Sequence, residues 1–432
     1  METTSDRVIP PGPKLEFEEG EPMATGLNPF VPGFFDDPYQ QYRELRETDP
    51  VHHSPLGLWF LSRWEDCHKV LRLPGTSVDE RNATMARQAE LAAAMEARGG
   101  RRSQSILSAD PPDHTRMRKL VSKAFTPRTV SRLEERVAEV ADARLDEAAS
   151  RSADEGSVDL IEALAFPLPF QVIHEMLGMP DSVPAERLRS LSQTVTQSLD
   201  PVLAVVHADE IADAGEELFG IIGEAITWKR DHLDDDLLSA LVLAEEEGST
   251  LSDEELRDNV TLLYLAGHET TVNLIGNGLL SLLRHPDQAR ILRDDPSLDT
   301  GAIEELLRYD SPVQFSRRIA LEPFEVAGHE VEVGDIVMTG LGAANRDPAK
   351  FGPTAEQLDV TRADAHHHIS FGSGVHHCLG AALARLEGRT TIPRVLRRFP
   401  EAELATDEIE WNGRIVLRGV ARLPVTLGPA AA

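Results

Sequence analysis

Chemistry-bearing residues concentrate in one stretch, Phe371-Gly372-Ser373-Gly374-Val375-His376-His377-Cys378-Leu379-Gly380, directly before a segment of helical spacing, Leu379–Arg397. A cysteine at a helix N-terminus meets unpaired backbone N–H groups and the positive end of the helix dipole, and both favour thiolate over thiol. Cys378 is therefore expected to be an anion. Glycines at 372, 374 and 380 let backbone pass close to a large flat partner, with Phe371 covering one of its faces. At residue frequencies of roughly 5–7%, six fixed positions of this kind arise by chance with probability on the order of 10⁻⁵ or less, so the pattern carries information.

The pattern Phe-Gly-x-Gly-x-His-x-Cys-x-Gly resembles the heme-binding loop of the cytochromes P450. In that family the cysteine thiolate is the axial ligand of heme iron and pushes electron density toward O–O cleavage. The resemblance assigns that role to Cys378. It implies a mainly α fold with minor β, in which a long central helix crosses the molecule and heme b, iron protoporphyrin IX, sits between it and the helix of the cysteine loop. It covers residues 28–432 as a single domain, behind a loose acidic and proline-rich arm at residues 1–27.

Further motifs follow in the family's order. Ala266-Gly267-His268-Glu269-Thr270-Thr271 is similar to its oxygen-activating segment. The Thr270 hydroxyl can replace a helical bond to the carbonyl of Ala266, and Gly267 leaves room for a groove holding oxygen and water. Thr270 is read as the hydrogen-bonding alcohol and Glu269 as the solvent-linked acid, a pair suited to two successive proton deliveries. Two heme propionates need cationic partners. The resemblance supplies His114, Arg118, Arg318 and His376; Arg317 competes for the third place, and Arg318 is preferred because it stands two residues before the small Ala320. Glu305 and Arg308, on one helical face, match the family's Glu-x-x-Arg pair, with Arg362 as third member of a buried architectural network. Asn345-Arg346-Asp347-Pro348 matches a recurrent turn. Leu263, Ala266, Val313, Phe315 and the loop Pro74–Ser108 are candidate pocket walls, mostly apolar, which favours a medium-to-large hydrophobic small-molecule substrate such as a polyketide, terpenoid or steroid.

These groups need elements to position them. Ser252, with Glu255 three residues on, forms a capping box for a helix running to about Arg284, where His285-Pro286 stops it. Such a rod would be roughly 45–50 Å long. In Asp110-Pro111-Pro112-Asp113 an acid at the N-cap before proline predicts a helix carrying His114, Arg118 and Lys119. Helical spacing also predicts Ser131–Ser150, Ala208–Arg230 and Gly301–Tyr309. Val51–Ser62 and Phe324–Thr339 read as strands, Glu401–Leu427 as short strands and turns, and Asp79–Arg98 as helix or mobile covering loop. Cys67 reads as a small helical core residue.

Composition narrows the function classes. In 432 residues, 43 Lys and Arg against 73 Asp and Glu give a net charge of −30, which speaks against nucleic-acid binding. Two cysteines in unlike contexts do not make a disulfide scaffold, so a reducing cytoplasmic setting fits. The longest apolar stretch, Val260–Leu283, carries His268, Glu269, Asn273 and Asn277, and no membrane insertion is expected. A zinc site built from His366, His367, His368, His376, His377 and Cys378 lacks well-spaced ligand pairs and a His-Glu-x-x-His motif. The resemblance thus implies a monomeric heme-thiolate monooxygenase, with a heme-binding sensor or a peroxide-driven peroxygenase as alternatives. The intact Glu269-Thr270 pair favours oxygen over peroxide. No flavin or iron–sulfur signature is present, so electrons are expected from a separate ferredoxin and ferredoxin reductase, steered by Lys119, Lys123, Arg128, Arg385 and Arg389.

Overall fold

The computed structural model describes residues 27–54, 57–84, 103–180, 183, 185–246 and 248–431. All of the arm expected at 1–27 except Leu27, and most of the expected covering loop, residues 85–98, lie outside the described residues; of the latter, residues 79–84 are described, with one 3₁₀ turn at Glu80–Asn82. The elements that position the site are α1 (Tyr39–Thr48), β1 (Val51–His53), β2 (Leu58–Leu61), α2 (Trp64–Leu71), β3 (Thr76–Ser77), α3 (Asp113–Ala124), α4 (Glu134–Glu155), α5 (Pro167–Leu177), α6 (Ala185–Val195), α7 (Ala208–Asp231), α8 (Asp253–Arg284), α9 (Asp299–Tyr309), β4 (Phe315–Ala320), β5 (Ile336–Gly340) and α10 (Ala381–Arg398). The chain is mainly helical with small sheets.

Helix α8 organises the rest. The Ser252 hydroxyl accepts from the Glu255 N–H at 3.1 Å, and the Glu255 carboxylate accepts from the Ser252 N–H at 2.8 Å, closing the expected capping box. Its 32 residues span about 48 Å. Residues 271–282 are buried on every side, the mark of a helix at the centre of a core rather than at its edge. Helices α5, α6 and α7 pack along it on one side and α9 and α10 on the other. Its buried polar residues have an internal use: Asn277 donates to the carbonyl of Arg418 at 3.1 Å and accepts from the Val420 N–H at 3.2 Å, fastening the C-terminal strands. Among the described residues no helix is long and apolar enough to cross a membrane.

A five-stranded sheet in the order β1-β2-β5-β4-β3 flanks this core. It is antiparallel except for β2 against β5, where Leu58 faces Ile336 and Leu61 faces Thr339. β4 runs against β5 with Ile319 opposite Ile336, and alternation puts Ser316 and Arg318 on one face and Phe315 and Arg317 on the other. Cys67 is fully buried in the sheet's own core with Leu61, Val70 and Val337.

Three boundaries differ from expectation for physical reasons. Asp110 does not cap α3, which starts at Asp113 without a side-chain cap; its carboxylate instead accepts from the Ser77 hydroxyl and, at 2.9 Å, from the Val78 N–H, tying the helix entry to β3. Helix α4 begins three residues later than Ser131 and continues to Glu155, where Gly156 in the left-handed region ends it. Helix α5 was not anticipated, because Leu168, Pro169, Phe170, Val172, Ile173, Met176 and Leu177 are buried around most of its circumference and leave no amphipathic period to read.

Candidate active site

The cysteine loop is a chain of tight turns leading into α10. The Cys378 N–H donates to the Phe371 carbonyl at 2.9 Å and the His377 N–H to Gly374 at 3.1 Å. Gly374 has φ 73°, and a Cβ there would stand 2.6 Å from the Leu71 carbonyl oxygen, so α2 leaves room for glycine alone. Cys378 is exposed on one side and closely surrounded on the others. That enclosure pushes its thiol above the ordinary cysteine value, opposed by the N–H groups of Gly380 and Ala381 and the charges of Arg118 and Arg385. The helix terminus alone therefore does not set this thiol: burial opposes the thiolate that the N–H groups of Gly380 and Ala381 and the nearby arginines favour, and a bound metal cation would favour the thiolate further.

Beside the cysteine loop the structure brings together His114 and Arg118 from α3, Arg318 from β4 and His376. The His114 and His376 rings lie 4.3 Å apart. His114 is 2% exposed and neither ring nitrogen has a hydrogen-bond partner. Arg318 is 5% exposed, bonds only the Ser316 hydroxyl at 3.1 Å and the Arg317 carbonyl at 2.7 Å, and is held near 10 by burial, with Asp110 opposing. Arg118 donates to the His377 carbonyl at 2.6 Å. Burial, together with His114, Arg318 and Arg118, depresses His376 to about 3. Among the described residues these four cation-capable groups have no carboxylate partner, and such a site calls for an anion to complete it. Arg317 is excluded from it, because it points to the other face of β4 and pairs with Glu80 at 2.7 Å. A dianionic heme with an iron facing Cys378 fits this donor set.

On α8 the Thr270 hydroxyl donates to the Ala266 carbonyl at 3.1 Å, and Ala266 is exposed. At Gly267 a Cβ would meet Ile173 of α5 at 2.9 Å, so this glycine also lets α5 pack closely on α8. Glu269 is 8% exposed and its Oε1 accepts from Arg414 at 2.9 Å. Arg414 was missed, since nothing local links positions 145 residues apart.

Glu305 and Arg308 are both fully buried and joined by two bonds of 2.6 and 2.8 Å; Arg308 also donates to the carbonyls of Asn345, Ala355 and Gln357, and Arg362 reaches Glu305 at 3.3 Å. The adjacent Glu304 was also missed. Burial would raise its carboxyl, but hydrogen bonds from His368 at 3.0 Å and Arg385 at 2.6 Å hold it at about 2. Arg385 is thus spent on Glu304 and stacks over Phe371 at 4.6 Å, and Arg389 pairs with Glu134 at 3.0 Å. Both keep part of their surface exposed but have their charge offset by a carboxylate, whereas Lys119, Lys123 and Arg128 are exposed. Of the pocket candidates, Leu263 is buried in the helical core and Val313 is half-buried against the sheet's core. Phe315 is withdrawn: it packs edge-on between Tyr42 and Phe60, on the face of β4 opposite Arg318. Strand alternation points to Ser316 in its place.

The sequence model of one family, Cytochrome P450, matches residues 80–295 and 298–411. The chain belongs to the cytochrome P450 family. It is 42% identical to the Vitamin D(3) 25-hydroxylase of Pseudonocardia autotrophica over 92% of this chain and 96% of that one. It is 39% identical to cytochrome P450 monooxygenase PikC of Streptomyces venezuelae, covering 94% of each. Among solved structures it is similar to the polyketide synthase cytochrome P450 PksS of Bacillus subtilis, with a TM-score of 0.83, 37% identity and coverage of 93% and 100%. As a bacterial-type P450 it is an oxygen-incorporating oxidoreductase that carries heme b.

Proposed function

We propose that the chain inserts one atom of dioxygen into a C–H bond of a hydrophobic small molecule and reduces the other to water, consuming two electrons and two protons. Cys378 would hold the heme iron, with His114, Arg118, Arg318 and His376 on the propionates and Phe371 and Ala266 near the ring. The bound heme supplies an iron that takes up dioxygen and accepts electrons singly. The chain's own residues do the rest. Thr270 keeps its hydroxyl beside the opened Ala266 carbonyl, where it can hand a proton inward, and Glu269 brings protons from solvent to it. Electrons come one at a time from a separate ferredoxin and its reductase, docked over the exposed Lys119, Lys123 and Arg128. Relatives named for vitamin D(3) hydroxylation and polyketide biosynthesis support a large hydrophobic substrate of the polyketide, terpenoid or steroid kind. A cytoplasmic monomer, in one domain over residues 28–432, is the setting this reading assumes.

The observation that carries the reading is the acid–alcohol pair, with Thr270 bonded to Ala266 and Glu269 held by an arginine. Its test has two parts. The reduced, carbon-monoxide-treated protein should show the red-shifted Soret band of sulfur ligation, lost in Cys378→Ser. In Thr270→Ala, NADPH consumption should continue while oxygen leaves as hydrogen peroxide. A colourless protein after ample heme supply sinks the heme assignment, and a Thr270→Ala variant with unaltered behaviour points to a sensor.

A further inference from the structure

Arg414 lies outside every motif, in the turn between the paired strands Glu410–Trp411 and Val420–Arg422. Its guanidinium joins three separate parts of the chain. One nitrogen, Nη1, donates to Glu269 Oε1 at 2.9 Å and to the Thr196 hydroxyl at 3.1 Å, while Nη2 donates to the Gln193 carbonyl at 3.3 Å. The next residue repeats the attachment: the Ile415 N–H donates to Asp200 Oδ2 at 2.6 Å, and Asp200 Oδ1 takes the N–H groups of Val202 and Leu203. From α8, His268 adds a third tie, its Nε2 lying 3.2 Å from the Ser192 hydroxyl. The segment 192–200 is therefore pinned at its inner side to residues 268–269 and 414–415. Around its far end Leu199, Val205 and Val206 are 45–49% exposed, while Ser192, Thr196 and Asp200 turn inward and are buried, so this stretch lies at the surface on a buried polar seam.

We infer that Arg414 is a positioning residue that couples the seating of segment 192–200 to the orientation of the Glu269 carboxylate. The inference rests on the proton-delivery reading of Glu269 and Thr270. A single charge-assisted bond leaves a carboxylate free to swing, because the partner's long side chain swings with it. A planar guanidinium held by two further acceptors is fixed, and fixes what it binds. With the segment seated, Arg414 has three acceptors and Glu269 Oε1 has one defined donor. With the segment lifted, two of the three bonds go while the charge pair stays, and the carboxylate loses its set direction. Protons then arrive out of register, and dioxygen leaves as hydrogen peroxide after taking two electrons and two protons, in place of the four of each that convert it to two waters when no substrate is present.

The test uses the heme-loaded enzyme without substrate, driven by NADPH through a plant-type ferredoxin and its reductase. Two quantities are read: hydrogen peroxide formed per NADPH, and hydrogen–deuterium exchange of the 192–200 amides in the resting protein. Arg414→Gln should raise that exchange about tenfold or more, since both guanidinium bonds to the segment are lost and one charge-assisted hydrogen bond already accounts for a factor of about ten, and should raise the peroxide share. Thr196→Val, which keeps the Arg414–Glu269 pair, should move both in the same direction by less, and Arg414→Lys should recover part of the peroxide change. Should Arg414→Gln fail to fold, Thr196→Val decides alone. If Glu269→Gln raises the peroxide share while Arg414→Gln and Thr196→Val leave it and the exchange at wild-type values, the coupling is overturned and the relay stands. If Glu269→Gln itself changes nothing, the relay reading is what fails.

Discussion

Replacing Arg308 by methionine tests whether the Glu305 network holds the fold. Arg308 is wholly buried and makes five hydrogen bonds, two to Glu305 and three to the carbonyls of Asn345, Ala355 and Gln357. Methionine fills much of the volume but donates nothing. Glu305 then keeps only the Asp359 N–H at 2.9 Å and the longer Arg362 contact of 3.3 Å for a fully buried charge. Removing one partner of a buried ion pair costs about 3–5 kcal/mol. Each of the three orphaned carbonyls adds about 1 kcal/mol. The sum is a large part of the roughly 5–15 kcal/mol that holds a typical domain together. With a urea dependence of about 3 kcal/mol per molar, the unfolding midpoint of the heme-loaded protein should fall by about 2 M or more. Urea unfolding followed by circular dichroism and by Soret absorbance measures it. Adding Glu305→Leu should restore part of the loss, because a stranded charge is worse than none. An Arg308→Met protein that unfolds at the wild-type midpoint refutes the reasoning, and a double variant no better than the single one shows that the cost does not lie in the stranded carboxylate.

Three other outcomes are expected. Arg318→Leu should lower heme content on expression and speed heme loss to apomyoglobin, whereas Arg317→Ala, which breaks only the exposed pair with Glu80, should leave both unchanged; equal effects would dissolve the distinction drawn from β4. Glu387 on α10 is fully buried, its carboxyl oxygens have no hydrogen-bond partner, and burial pushes it up to about 8, with the nearby Thr271 hydroxyl opposing only in part. Because its folded value lies above its unfolded one, the folded state binds the extra proton between about pH 4.5 and 8, so this group lowers stability as pH rises through that window; Glu387→Gln should therefore gain stability over wild type at pH 8 and little at pH 4.5, as melting at the two pH values would show. Reversing Lys119 and Arg128 to Glu should slow heme reduction by ferredoxin and flatten its dependence on salt, while Arg389→Ala, already paired with Glu134, should do neither in stopped-flow measurements.

The sequence by itself determined whatever depends on neighbours along the chain. The cysteine loop, the Ser252 and Glu255 capping box, the Glu305 and Arg308 pair and the Thr270 bond to Ala266 all join residues within a few positions, where helix and turn geometry leave few alternatives. The tertiary structure decided what depends on which face an element turns inward. Arg317 and Arg318 are indistinguishable as residue types; spacing to Ala320 favoured Arg318, and the pairing of β4 with β5 supplied the physical reason by turning the two to opposite faces, Arg317 toward Glu80. The same alternation sent Phe315 into the aromatic cluster with Tyr42 and Phe60. Gly267 read as space for oxygen, and only the fold adds that Ile173 of α5 packs closely at it. At Cys378 the helix terminus was legible in sequence, whereas the burial that opposes its ionisation and the charges of Arg118 and Arg385 that favour it came only with the fold, because desolvation sums over every neighbour in space while the dipole counts only one turn of chain. Arg414, 145 residues from the carboxylate it holds, had no signal in sequence at all, since a single arginine in a turn becomes part of a site only when folding brings its partners to it.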